Sequence, residues 1–480
     1  MDISVEILPK IYLAVIPKYW YKEIPEGFPE SSSIFSLEYD SEEEVEAVKE
    51  MEANLNTEES IVTPEDVPEN ERLSLYLGTY NVEGDPGVLT LLSPAKIGNK
   101  DAGAVAYHYI SGDEDDEETP GTWEKIEDAQ VIDGYVWGTV ESYSPIAVFT
   151  TKPDTYLSED GIYMGCPTYV ANGIPIVVSL NDKGKTVITD AYGKVTEITA
   201  TTLIVGGSYD RDLESTNVTI KGNVKFKGLR AGSVRDGAAE EALRVGKITV
   251  NIEGVDRASA GVTGSYGAVK TEEVEINIKD SNLSFCGAGE SICNKNDANK
   301  DWGQNCSLAS KAWVKKANIT LDNSFVECAY AGANCGYMYG DDVNIVAKNG
   351  SSAKWFLSCG SNGATNKASA KAIDSTITYM QTTNRGPVSY SELEVKDSTV
   401  DYLFVTGDST DSSVNGTVKK AKVEVDASSK VNLYPGTNGG KVITAEDAEE
   451  IIDVIKISRS ADVTYMEDAD KILANKIKIK

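Results

Sequence analysis

The chain has one histidine, His108, in 480 residues. That scarcity removes imidazole-rich zinc sites, haem ligation and Ser-His-Asp catalysis as readings of the sequence, and no metal or cofactor is expected. Basic charge is short as well: 45 Lys and Arg face 76 Asp and Glu, a formal net charge of −31. Such an excess of acid speaks against holding nucleic acid by its phosphates. Long apolar runs are missing. The longest early one, Ile11 to Ile16, is too short to span a bilayer, so no membrane partner is expected. Met1 to Pro9, with Asp2 and Glu6, lacks the basic start and apolar core of a secretion signal, which predicts assembly in a cytoplasm. Phenylalanine is sparse at 8 against 24 tyrosines, a balance suited to rims and interfaces where one end of the ring is wet.

What the chain does have is a returning phrase. It reads Val-Thr-Ile-Lys-Gly-Asn-Val from Val218, Ile-Asn-Ile-Lys-Asp-Ser-Asn-Leu from Ile276, Ile-Thr-Leu-Asp-Asn-Ser-Phe-Val from Ile319, and Leu-Glu-Val-Lys-Asp-Ser-Thr-Val from Leu393. Looser copies lie at Ile248 to Glu253, Val343 to Gly350, Ala370 to Ile377 and Val423 to Val431. Each alternates apolar and polar residues, turns at Gly, Asn or Asp-Ser, and resumes as a second strand. Anchors at Ile220, Val250, Ile276, Ile319, Ile345, Ile373, Val395 and Val425 step by 22 to 43 residues. Such a period marks units that bury their apolar face only by stacking. The fold class expected is mostly β: a small β-sandwich, then a parallel β-helix (solenoid) over 218–440, closed by a C-terminal cap. A propeller is the alternative, ranked lower because each unit carries one strand pair.

Around that repeat the chain divides in order. Residues 1–72 read as an acidic arm and linker: an aromatic strand over Ile11 to Tyr21, a short helix after Asp40-Ser41 with Val45, Val48 and Met51 at helical spacing, then a Thr, Glu, Pro and Asn-rich stretch. Residues 73–152 predict six short strands, with Asp133-Gly134 as a hairpin turn and the acid run Asp113 to Glu118 as a solvated loop. His108, between Tyr107 and Tyr109, is expected on the opposite face from both, in a structural role. Residues 153–217 predict a strand-rich transition that covers the first coil, with Gly206-Gly207 as a turn. Residues 441–480 mix a helical pattern over Glu446 to Ile455 with a strand at Lys476 to Lys480, and read as a cap or a segment that registers a homotrimer.

Six of the seven cysteines, Cys286, Cys293, Cys306, Cys328, Cys335 and Cys359, lie in the repeat without Cys-x-x-Cys spacing, and buried thiols are favoured over disulfides. Cys293 and Cys306 bracket an insertion and form the pair to test for a bridge. Carboxylates available for glycoside cleavage are Asp341, Asp342, Asp374, Asp397 and Asp401. Asp374 and Asp397 fall in the repeat's turn, where Asp serves its own backbone, so no catalytic residue is assigned and no enzyme is expected.

Ser142 to Val148, Ser-Tyr-Ser-Pro-Ile-Ala-Val, resembles the closing strand of immunoglobulin-like modules found beside β-solenoids. With the acidic arm, the repeat and the charged C-terminal module, the layout resembles phage virion proteins such as head fibres, capsid decorations and tail spikes. The repeat phrases are also similar to those of secreted β-helical adhesins of bacteria. The first resemblance implies a virion component whose residues 1–152 dock to capsid, portal or tail proteins while the solenoid meets a glycan or protein on a host surface. The second implies a bacterial cell surface, and a carbohydrate-cleaving tailspike comes third. In either binding case Trp302, Trp313, Tyr330, Tyr337, Tyr339 and Trp355 are the residues expected to meet the surface.

Overall fold

The structure, a computed structural model, describes residues 12–13, 34–36, 41–55, 57, 59–68, 71–83, 87–93, 103–112, 121–132, 134–140, 145–159, 166–235, 242–290, 312–333, 338–359, 364–383, 386–408 and 416–480. Most of the aromatic strand at 11–21, the acid run 113–118 and the insertion with Trp302, Cys293 and Cys306 lie outside these residues, as do Cys335 and Tyr337. The chain forms two compact units, Met1–Asp154 and Thr155–Lys480.

In the first unit, the hydroxyl of Ser41 accepts from the Glu44 N–H at 3.1 Å and starts helix α1, Glu42–Asn54, whose first turn is acidic. Both features suit the unpaired N–H groups and positive end of a helix. Val48, Met51 and Leu55 are buried. Met51 and Leu55 pack with Val62, Tyr76, Val105 and Phe149 against one face of a sheet built on Glu71–Glu83, Pro145–Pro153 and Gly103–Ile110. The carboxylate of Glu43 ties the helix down by accepting from the Tyr109 hydroxyl at 2.9 Å and the Gly112 N–H at 3.2 Å. The stretch after the helix, expected as a linker, thus contributes Leu55 and Val62 to a core. The other face of the sheet meets a smaller sheet, Val88–Leu91, Tyr135–Val140 and Gln130–Ile132, through Ala106, Ile146, Val148, Val136 and Val140. The layering is therefore helix, larger sheet, smaller sheet. His108 is buried, in alternation with Ala104 and Ala106 of that second core, and faces away from Tyr107.

The second unit is two long sheets of mainly parallel strands, visited alternately by the chain, an arrangement consistent with a β-solenoid. Among the described residues one sheet has 13 strands and the other 15. In the 13-strand sheet, Val218, Val250, Ile276, Ile319, Ile345, Ala370, Leu393, Val423 and Ile455 stand in one register column, all buried. The opposite sheet answers with Leu229, Val262, Cys286, Ala329, Phe356, Met380, Leu403 and Leu433. Parallel strands buried against such a partner need an apolar residue at every inward position, which the repeat supplies.

The phase differs from the expected anchors in places. Ile373 is not equivalent to Ile345; its coil places Ala368, Ala370 and Ala372 inward, and Ile373 sits at the strand end. The stack also begins before 218. Thr168–Val170, Leu203–Val205 and Gly228–Arg230 are successive parallel strands, while Tyr156–Ser158 and the Thr186–Asp190, Val195–Glu197 meander pair antiparallel at the two edges. Gly206-Gly207 lies where two coils approach: a Cβ at Gly207 would come within 2.4 Å of the Ser233 nitrogen. At the far end, helix α2, Ala445–Ile451, stops before Ile452, and Ile452–Ile457 and Ile477–Ile479 add strands to the 13-strand sheet. The segment expected to depart from the repeat therefore continues it.

Corners between the sheets explain the Asp-Ser and Asn-Ser phrases. Asp280, Asn323, Asn349, Asp374 and Asp397 have φ between 46° and 55°, a left-handed conformation that Asn and Asp tolerate better than other residues with a Cβ. The following serines stack. The Ser281 N–H donates to Ser324 Oγ and the Ser324 N–H to Ser351 Oγ, each at 3.1 Å, and the Ser375 N–H donates to Ser398 Oγ at 3.0 Å. Each hydroxyl returns a bond to a carbonyl of its own corner, as Ser398 does to Lys396 at 2.6 Å. The ladder satisfies donors that the tight corner would otherwise bury unpaired.

Candidate functional site

Near the start of each central strand of the 13-strand sheet, two successive residues face outward instead of one. Glu272 and Glu273, Lys315 and Lys316, Asp341 and Asp342, and Asn366 and Lys367 lie between buried Thr271 and Val274, Val314 and Ala317, Gly340 and Val343, and Thr365 and Ala368. Stacking the coils turns these into columns. Glu272, Lys315, Asp341 and Asn366 form one, tied by Lys315 Nζ to Glu272 Oε2 at 2.7 Å and by Asn366 Nδ2 to Asp341 Oδ1 at 2.8 Å. The bond it donates to Glu272 holds the Lys315 ammonium above its usual pKa.

A parallel column runs Lys270, Trp313, Tyr339 and Ala364. Register pairs Lys270 with Trp313 and Trp313 with Tyr339. The Gly340 N–H bonds the Ala364 carbonyl at 3.0 Å, which sets Ala364 beside Tyr339. The Trp313 and Tyr339 rings are 4.2 Å apart with 17° between their planes, close to the spacing of neighbouring strands. Their faces therefore look along the stack, and Trp313 is 42% exposed. Between the two columns opens a groove of about 500 Å³, with Val314 and Gly340 among its lining residues.

The outer face of the 15-strand sheet carries a second series. Trp355 stacks on Tyr379 at 4.2 Å and Tyr379 on Tyr402 at 4.6 Å, with Tyr434 following at 5.5 Å. Here each ring covers its neighbour, so the ladder offers edges and hydroxyls. Tyr330, expected at an outer corner, is 7% exposed and lies beside the Cys328 thiol, which burial pushes up in pKa. The sequence-named aromatics thus fall into two places: Trp313 with Tyr339, and Trp355 with partners the sequence did not single out. Tyr379, Tyr402, Ala364 and Asn366 were missed because their meaning lies in register across coils.

The carboxylates distribute likewise. Asp374 and Asp397 are corner residues with φ of 47° and 48°. Asp341 and Asp342 both face outward, Asp342 with Lys367 at 3.9 Å. Elsewhere on the 15-strand sheet Arg230 lies 4.2 Å over the Tyr266 ring and 3.4 Å from Glu290, whose pKa burial raises against the pull of that guanidinium. Cys166, Cys286, Cys328 and Cys359 are free thiols, with Cys286 pushed up to about 12 by burial. Among the described residues no group of three or more His, Cys, Asp or Glu is placed to hold a metal, and no helix is long and apolar enough to cross a membrane. Compared with protein-family models, curated proteins and solved structures, the chain finds no match.

Proposed function

We propose that this chain is a non-enzymatic structural and binding component of a phage particle, a head fibre, capsid decoration or receptor-binding spike, that presents its stacked coils to a host or environmental surface. The observation that carries the binding half is the pair of aromatic stacks on the outer faces of both sheets, Trp313 with Tyr339 and Trp355 with Tyr379. The core is already filled by aliphatic columns, so these rings are not needed inside, and exposed aromatic groups are the side chains that anchor surfaces to one another. The particle half rests on the resemblance of layout, with residues 1–152, including an Ig-like module over 73–152, as the docking portion. A bacterial adhesin would use the same outer rings.

The experiment is fluorescent labelling of the intact protein and measurement of its binding to candidate host cells, with protein analysis of purified particles alongside. Binding that falls at least about tenfold in a Trp313→Ala, Trp355→Ala double variant supports the reading. Unchanged binding by that variant removes the aromatic faces from it, and absence of the chain from particles moves the protein to the adhesin class.

A further inference from the structure

The geometry points to a subsite for an acidic pyranose, a hexuronate seated on the face of Trp313 turned away from Tyr339 with its carboxylate at Lys270; this rests on the attachment reading above. The ring supplies the first observation. Tyr339 covers one face of Trp313 at 4.2 Å, yet the tryptophan is 42% exposed, so what water reaches is the opposite face and the rim. That face looks towards Lys270, its register partner in the preceding coil, and both residues line the groove of about 500 Å³, a size ordinary for a small-molecule cleft. The electron-rich plane of an indole attracts the polarised C–H groups on one side of a sugar ring.

Lys270 supplies the second. Neighbouring lysines of this sheet are engaged by carboxylates: Lys247 by Glu273 at 2.8 Å, Lys279 by Glu253 at 2.7 Å and Lys315 by Glu272 at 2.7 Å. Lys270 is exposed and has no carboxylate partner among the described residues, and Arg244, in register on its other side, has none for its guanidinium. The carboxylate next to Arg244, that of Asp212, accepts the Arg244 backbone N–H at 2.7 Å. Most of the chain's charge of −31 lies too far off to cancel this pair, because exposed charges are screened beyond about 8 Å at physiological ionic strength. Spacing then selects the ligand. Neighbouring strands lie about 4.8 Å apart, so ring and anion must be carried within one such step. A hexuronate bears its carboxylate on the very ring that stacks. In an extended peptide an aromatic and an acidic side chain on one face stand about 6.7 Å apart, and a neutral sugar leaves both cations unused.

Intact protein is offered the methyl glycosides of glucuronic and galacturonic acid, the matching neutral glucoside and galactoside, and an acetylated aspartyl-tyrosine amide, with binding read by saturation-transfer NMR and then titrated. A uronide should bind with a dissociation constant on the order of 1 mM, at least about tenfold more tightly than its neutral counterpart, and should weaken as salt is added. Lys270→Met keeps the stem and removes the charge; it should abolish that preference and leave the neutral glycosides where they were. Trp313→Ala should weaken every glycoside at least about tenfold, while Lys430→Met, an exposed lysine of the other sheet, changes nothing. Circular dichroism and the thermal midpoint identify a variant that fails to fold, and the solvent-facing Lys270→Met, which breaks no ion pair, guards against that outcome. A uronide preference that survives Lys270→Met overturns the subsite, as does equal binding of acidic and neutral glycosides, or silence from both uronides. A response from the peptide alone also overturns it and assigns the groove to a protein partner. If cells still bind wild-type protein while the uronides do not, only this subsite falls; if neither binds, the attachment reading falls with it.

Discussion

At the scale of single residues, the informative positions are those where backbone demand, not catalysis, chose the side chain. Ser324 is buried; it accepts from the Ser281 N–H and donates to the Asp322 carbonyl at 2.8 Å. Ser324→Ala would leave a buried donor without a partner, a loss of about 1–3 kcal/mol. Urea unfolding of the variant should show that drop; stability within about 0.3 kcal/mol of wild type would mean the ladder is ornamental. Asp374 gives the complementary case. At φ 47° a β-branched residue is strained, so Asp374→Val should cost about 1–2 kcal/mol while Asp374→Gly changes stability little. An enzyme reading predicts no such split in activity, because both substitutions remove the carboxylate equally. The pair thus separates a corner aspartate from a catalytic one.

At the scale of elements, the strands of the 13-strand sheet are laced by ion pairs between coils. Lys247 reaches Glu273 and Glu275 at 2.8 and 3.1 Å, and Lys422 reaches Glu392 at 2.6 Å. The bond from Lys247 lowers the pKa of Glu275 and the bond from Lys456 that of Glu424, from an ordinary 4.5. A carboxyl depressed in the folded state contributes stability that is complete above the unfolded value and is lost as pH falls through the folded one. The thermal midpoint should therefore lose this contribution below about pH 4.5, against the relief of repulsion that acid brings to so acidic a chain. Lys247→Met with Lys456→Met isolates the pairs: the acid-side loss should shrink in the double variant, and an unchanged profile would remove them as its cause. Strand identity was legible from alternation alone, since Val250, Ile276, Ile319 and Ile345 are true equivalents in register. Where alanine stands in place of the branched residues, at 368, 370 and 372, apolar alternation points to Ile373 and misplaces the phase. The Trp313–Tyr339 stack was half legible: both residues stood out, but their contact depends on a loop that returns the chain in register, and loop geometry leaves no period to read. Helix α1 showed its cap and its spacing, while Leu55 and Val62 hid their burial in a polar composition.

At the scale of the whole molecule, the open question is how copies associate. An end segment that registers three chains must keep an apolar surface for its partners. Here residues 441–480 spend most of theirs within the chain: Ile452, Ile455, Ile457, Ala448 and Leu473 are buried in the same core as the coils, and Val442 and Ile479 stay exposed. The edge strands at that end are Asp462–Tyr465 in the 15-strand sheet and Ile477–Ile479 in the other, the latter bonded on one side to Ile452–Ile457, with Lys476, Lys478 and Lys480 alternating along it. Lysines on an open edge oppose pairing with another edge, since each added copy brings like charges together. Both features argue against a trimer registered through residues 441–480. We therefore expect light scattering coupled to size exclusion to return a single species of 51.7 kDa, independent of concentration. Lys478→Val, which removes one of the guarding charges, should raise the weight-average mass as concentration rises. A wild-type mass near three times the chain's would overturn this reading, and truncation after Lys476 then tells whether the final strand makes the contact, because it removes that strand without Asp462–Tyr465 or the buried Leu473.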